Sequence, residues 1–150
     1  MTERFERFSY AISEIYRCWH RIAAAEMEKR GLKGTSAVYL MALSRAPEGV
    51  SAVQLSDTCG RDKADVSRQL SAMERDGLVR REGDYRAVWY LTEEGNKAAE
   101  YVARRAAYAV ERAGGGLDAE KRAIFYNALE GIAENLQRIA REGLAPEDCE

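Results

Sequence analysis

The stretch from Ser51 to Thr92, SAVQLSDTCGRDKADVSRQLSAMERDGLVRREGDYRAVWYLT, decides the fold. Ser51 with Gln54 three residues later has the form of a capping box. It predicts a short helix with Val53 and Leu55 facing inward. Cys59-Gly60 ends that helix, and Asp62 stands where the next one needs an N-cap, with Asp65 in its electropositive first turn. Val66, Leu70 and Met73 fall at helical spacing and give the second helix one buried stripe, which Gly77 stops in a left-handed conformation.

Two helices joined by a tight turn form a helix-turn-helix, whose second helix can enter the major groove of DNA. Lys63, Ala64, Asp65, Ser67, Arg68, Gln69 and Ser71 lie off the apolar stripe. Arg68 and Gln69 carry the forked groups that pair with guanine and adenine edges. Ser67 and Ser71 suit phosphate or base contacts, and Asp65 suits a cytosine amino group better than a phosphate. Read alone, this face is equally an ordinary solvated helix surface. The residues that follow favour DNA. Leu78-Val79-Arg80-Arg81 and Ala87-Val88-Trp89-Tyr90-Leu91 are strand-forming runs joined by a turn over Glu82-Gly83-Asp84-Tyr85-Arg86. A ribbon beside a recognition helix is a wing, and an arginine at its tip can enter a minor groove.

Leu55, Val66-Ser67-Arg68, Glu74, Gly77-Leu78-Val79, Arg81, Asp84-Tyr85-Arg86 and Leu91-Thr92-Glu93-Glu94-Gly95, in that order, resemble the MarR family of bacterial and archaeal transcription regulators. The flanking helices extend the likeness over nearly the whole chain. The resemblance implies a dimeric winged-helix DNA-binding protein, usually a repressor. It also implies that Asp84 orients Arg86 at the wing tip. Two features depart from the family pattern: the wing is a few residues short, and Ala64 and Asp65 replace small hydroxyl residues. They bear on wing insertion and on the recognised sequence, and leave the fold untouched.

Outward from this unit the chain is helical. Phe5, Phe8, Ile12, Ile15, Trp19 and Ile22 mark a long first helix reaching about Arg30, closed by Gly31. Gly34-Thr35-Ser36 opens a second helix with Val38, Leu40, Met41 and Leu43 apolar, and Ala46-Pro47-Glu48-Gly49 is a turn. Thr92 caps a helix whose inward positions are Ala99, Val102, Ala106, Ala109 and Val110. Gly114-Gly115-Gly116 ends it. Leu117-Asp118 starts a last helix striped by Phe125, Leu129, Ile132, Leu136 and Ile139, before an acidic tail containing Pro146 and Cys149.

The expected class is mainly α (α+β): one subunit over residues 1–150, with a winged helix-turn-helix at 34–94 and a helical dimerisation region at 1–33 and 95–145. A single winged core does not need so much apolar helix at both ends. A second copy would bury it, and most soluble oligomers are twofold symmetric. Such a homodimer binds a pseudo-palindromic operator in double-stranded DNA, with half-sites about 10 bp apart.

Composition sets bounds on this reading. The 150 residues, 46% hydrophobic and 32% charged, describe a globular chain long enough to bury a core. No run approaches a membrane span and the N-terminus has no signal-like apolar segment, so a cytoplasmic protein without membrane partners is expected. The net charge is −2, and from Arg61 to Arg86 seven bases face six acids. Screening confines each charge to about 8 Å, so DNA binding rests on placement of charge and not on a basic block. Three cysteines and one histidine share no metal-like spacing, no phosphate loop appears, and no catalytic set assembles. The expectation is a non-enzyme without a cofactor.

Two further sites are open. By the resemblance, relatives that sense peroxides carry a reactive cysteine near tyrosines in the first helix. Cys18, with Tyr10, Tyr16, Arg17 and Arg21 nearby, offers a redox counterpart, although buried free cysteines are commonly inert. The family's usual effector region suggests a small-molecule pocket lined by Tyr16, Trp19, His20, Tyr39 and Met41, which read equally as core. The readings competing with a ligand-responsive regulator are a winged-helix protein-interaction module that does not bind DNA, and a Cys18-based redox regulator.

Overall fold

A computed structural model describes residues 2–84 and 86–144. Tyr85, Pro146 and Cys149 lie outside the described residues. The element order is α1 (Thr2–Glu28), α2 (Ser36–Ser44), β1 (Val50–Ser51), α3 (Ala52–Cys59), α4 (Lys63–Arg75), β2 (Val79–Glu82), β3 (Val88–Leu91), α5 (Glu93–Ala113) and α6 (Ala119–Glu142). This is the mainly helical winged helix-turn-helix that the sequence implied. No helix among the described residues is long and apolar enough to cross a membrane.

Local chemistry sets most boundaries. The Ser51 hydroxyl accepts from the Gln54 amide at 3.2 Å while the Gln54 side chain accepts from the Ser51 amide at 2.9 Å, completing the capping box of α3. Gly60 closes α3 in the left-handed region, and Asp62 caps α4 by accepting from the Asp65 amide at 2.8 Å. Asp118 caps α6 in the same way, from the Lys121 amide. The turn after α2 depends on Gly49: its φ is +90°, and a Cβ there would lie 2.4 Å from Val88 Cγ1.

The strands form one antiparallel sheet of order β1-β3-β2, with Val50 opposite Trp89 and Arg81 also opposite Trp89 on the other side. The described residues fall into two compact units, with the boundary after Tyr108 inside α5. The core of the first unit joins Met27, Tyr39, Leu40 and Leu43 to Leu55, Val66, Leu70 and Met73, and then to Val79, Trp89 and Val102. In the second unit α6 buries none of its residues, and Arg122 fastens the preceding turn by donating to the carbonyls of Gly114 and Leu117.

Several expectations need correction. Val53 is 55% exposed while Leu55 is fully buried. Two residues on a helix are about 200° apart at 3.6 residues per turn, so both cannot face one core. Val110 is likewise exposed, because α5 turns its apolar face inward at Ala98, Ala99 and Val102. The first helix stops at Glu28, two residues before Arg30, and β1 was not foreseen. Phe5, Ile12, Ile15, Phe125 and Leu136 are exposed in the single chain.

Candidate nucleic-acid interface

The recognition helix α4 buries Val66, Leu70, Ala72 and Met73 and turns Lys63, Ser67, Arg68 and Ser71 outward. Asp62 anchors its first turn, so Lys63 stands at the leading edge with Ser67 and Ser71 at successive four-residue steps behind it. A shallow depression runs along this face between Lys33, Ser67, Arg68, Ser71, Glu74 and Arg75. Lys33 and Arg75 are basic groups that the sequence reading did not assign to the face. Lys33 sits in the loop before α2, and nothing local marks its approach.

Asp65 and Gln69 are bonded within the chain, although Gln69 also lines this depression. Both are only partly exposed. The Tyr39 hydroxyl donates to Asp65 Oδ2 at 2.8 Å, and the Thr35 hydroxyl donates to Gln69 Oε1 at 3.1 Å. Arg68 Nη2 meets the other Asp65 oxygen, Oδ1, at 3.4 Å. The hydrogen bond from Tyr39 holds the Asp65 carboxyl below its usual range, against the opposing effect of its partial burial, and Arg68 adds to the lowering. Burial, and then the adjacent Asp65 anion, push the Tyr39 phenol well above its usual value. Asp65 therefore accepts within the chain on both oxygens, where its position in the sequence suggested an open cytosine reader.

The wing follows from β2 and β3. Arg80 pairs with Glu82 and stacks over the Tyr90 ring at 4.6 Å from its centroid. Arg81 is tied loosely to Glu74 of the recognition helix at 3.7 Å. Asp84 and Arg86 are exposed at the tip, and the backbone of Arg86 is left-handed, with φ at 57°. A non-glycine residue in that region is uncommon and adopts it only where its surroundings impose it.

The five candidate pocket residues divide between two neighbouring cavities of the first unit. One, of about 290 Å³, is lined by Tyr16, Trp19, His20 and Met41, with Glu26 and Arg105 in its wall. The other, of about 480 Å³, reaches from Tyr16 and His20 past Tyr39 to Asp65 and Gln69. The Tyr16 and His20 rings meet edge to face at 4.2 Å. Tyr39 is only 1% exposed and works mainly as core.

The charged wall was invisible in the sequence. Glu26 accepts from Arg105 Nε at 2.8 Å, from the Tyr101 hydroxyl at 2.9 Å and from Lys29 Nζ at 2.5 Å. Hydrogen bonds from Arg105, Lys29 and Tyr101 pull its carboxyl down to about 2. The partners on α5 lie 75 and 79 residues away, too far for any local pattern.

The Cys18 thiol lies 3.6 Å from a Glu14 carboxylate oxygen, and Arg17 is itself paired with Glu14. Its hydrogen-bond partner is thus an anion. Cys59 packs against the core as a small side chain, where burial pushes its thiol up. Among the described residues no group of three or more His, Cys, Asp or Glu is placed to hold a metal ion.

Comparison with known proteins places this arrangement. The sequence model of the MarR family matches residues 30–87, from the end of α1 through the wing turn. Among curated proteins, none matches the chain. Among solved structures, a MarR transcriptional regulator from Methanosarcina mazei Go1 is 29% identical, with a TM-score of 0.81 over 89% of this chain and 92% of that one. A MarR-family regulator from Silicibacter pomeroyi is 25% identical, with a TM-score of 0.74 over 85% and 88% of the two chains. The fold is shared as well by a MarR-family regulator from Listeria monocytogenes complexed with a 26mer DNA, at 21% identity and a TM-score of 0.76 over 92% and 96%. These relatives are transcriptional regulators. Residues 30–87 are thus a MarR-family winged helix-turn-helix, and the chain around them is built on the fold of the MarR-family transcriptional regulators.

Proposed function

We propose that the chain is a sequence-specific, double-stranded DNA-binding transcriptional regulator that acts as a homodimer in the cytoplasm, most simply as a ligand-responsive repressor. One observation carries the reading: α4 offers Lys63, Ser67, Arg68 and Ser71 on a single exposed face beside a wing whose tip bears Arg86. Arg68 reads a guanine edge, Lys63, Ser67 and Ser71 hold phosphates or bases, and Arg81 approaches the backbone. Arg86 enters the minor groove with Asp84 bracing it. Gln69 takes a lesser part than its amide suggests, since its oxygen already accepts one hydrogen bond from Thr35. The relative from Listeria monocytogenes, complexed with a 26mer DNA, supports this use of the fold.

The homodimer is supported by exposed apolar rows on α1 and α6, where Phe5, Ile15, Phe125 and Leu136 face solvent in the single chain. Two copies related by a twofold axis present two reading heads to a pseudo-palindrome. A small molecule bound among Tyr16, Trp19, His20 and Met41 releases DNA if it prefers a head spacing that does not fit the duplex.

A gel-shift titration against the DNA upstream of the chain's own gene, at stated salt, tests the reading. Retention of one duplex over a scrambled competitor is the expected outcome. Equal, weak retention of both contradicts it and favours a protein-interaction role.

A further inference from the structure

Two side chains one turn apart, Thr35 at the N-cap of α2 and Tyr39 within it, touch two side chains one turn apart on α4. Thr35 donates to Gln69 Oε1 at 3.1 Å and Tyr39 donates to Asp65 Oδ2 at 2.8 Å. Residues four apart on a helix share a face, so the four groups form a ladder with two rungs between the helices. Thr35 is the N-cap residue of α2, yet its side chain makes no capping bond there. Its hydroxyl is given to Gln69 instead. The Tyr39 ring is locked in the core at 1% exposure, so its hydroxyl is a fixed donor and not a swinging one.

The rungs have different consequences. Asp65 holds Tyr39 on one oxygen and Arg68 on the other, so its carboxylate connects a rigid phenol to an exposed guanidinium. Gln69 Oε1 already accepts from Thr35, so that bond sets the direction of the amide and a base must share the oxygen through its second lone pair. A bidentate contact to adenine needs both ends of the amide.

We infer that Thr35 and Tyr39 are positioning residues for sequence readout: Tyr39 aims Arg68 through Asp65, and Thr35 turns the Gln69 amide away from bidentate pairing, so that Arg68 carries more of the base preference than Gln69 does. The inference rests on the DNA-binding reading above and adds to it the source of specificity. A bare helix surface lets Arg68 and Gln69 share the readout, whereas the ladder divides them.

The test is selection from a randomised duplex library with the full chain, followed by competition titrations at several salt concentrations. Tyr39→Phe keeps the buried ring and removes only the hydroxyl. It is expected to lower the preference at the base position that Arg68→Ala abolishes by roughly three- to tenfold, the worth of one hydrogen bond, with the salt slope of the wild type. Thr35→Val is expected to gain a preference for adenine at the adjoining position, and Thr35→Ser, which restores the hydroxyl, to select the wild-type motif. A general loosening of the fold would instead lower affinity for every sequence alike.

If Arg68→Ala loses one base position while Tyr39→Phe and Thr35→Val select the wild-type motif, the ladder is overturned and the DNA reading stands. If the wild type enriches no motif, the DNA reading fails and takes the ladder with it. Should Tyr39→Phe not fold, Asp65→Ala on α4 tests the same rung by the same loss of preference at the Arg68 position, with an unchanged motif overturning it, and the Thr35→Val and Thr35→Ser pair tests the other rung.

Discussion

Gly95, in the first turn of α5, lies so close to the Leu78 carbonyl that a Cβ on it would sit 1.9 Å from the oxygen. Around this approach the Thr92 hydroxyl donates to the Gly77 carbonyl at 2.6 Å and accepts from the Gly95 amide at 3.0 Å. The Thr92 amide donates to Leu78. The end of the recognition helix, the exit from the wing and the start of α5 are thereby fastened at one point.

Gly95→Ala is therefore expected to cost roughly 1–3 kcal/mol, because the Leu78 carbonyl belongs to the backbone and cannot swing aside. In a chain of this size that lowers the Tm by about 2–4 °C per kcal/mol. Thr92→Val keeps the shape but removes the cap, at about 0.5–2 kcal/mol. Thermal melts of both variants check this, and wild-type melting by Gly95→Ala would mean the approach is looser than described.

The Glu26 cluster sets a pH dependence. Its folded carboxyl titrates near 2, against 4.5 for the free group. A lowered folded value stabilises fully above the unfolded one and is lost as pH falls, so the contribution is intact above about pH 5 and drains away towards pH 2. Glu14, Asp65 and Asp118 are lowered too, so the difference between wild type and Glu26→Gln isolates the group. Urea unfolding between about pH 7 and 3 should show the Glu26→Gln curve falling less steeply with acid.

The wing and the recognition helix should separate in their response to salt and sequence. Arg86→Ala is expected to weaken binding on all sequences and to reduce the salt slope, by about one for each phosphate no longer neutralised. Arg68→Ala should in addition lose roughly 1–3 kcal/mol of discrimination at one base pair. Anisotropy titrations on a selected site and a single-substituted site compare the two directly.

Assembly through the apolar helices predicts that a charge on α6 splits the dimer. Leu136 is 50% exposed in the single chain. Leu136→Glu, introduced twice by symmetry, is expected to raise the dimer dissociation constant about 100-fold or more, because each copy forfeits apolar burial. Sedimentation velocity across a dilution series reads the change. A wild-type monomer at every concentration would remove the basis of the prediction.

What the sequence disclosed was whatever chemistry acts within a few residues. The Ser51–Gln54 box, the Asp62 cap and the left-handed Gly77 are local devices, and each is readable from its neighbours alone. The outward placement of Lys63, Ser67, Arg68 and Ser71 followed from the Val66, Leu70 and Met73 stripe. What escaped was set by partners remote in sequence. β1 is two residues long and exists because β3 pairs with it, and Glu26 meets α5 across three-quarters of the first unit. Asp65 and Gln69 looked like free readers because their partners, Tyr39 and Thr35, stand 26 and 34 residues earlier. Val53 failed for a simpler reason: strand-like alternation does not hold on a helix.

The most direct test of the account is quantitative competition between a library-selected palindromic duplex and its scrambled counterpart, with the oligomeric state of the bound species measured in the same samples. The account predicts two chains per duplex and a preference for the selected sequence of about 10³-fold or more at physiological salt, as for specific DNA-binding proteins generally. A single chain per duplex, or equal affinity for both sequences, would contradict it.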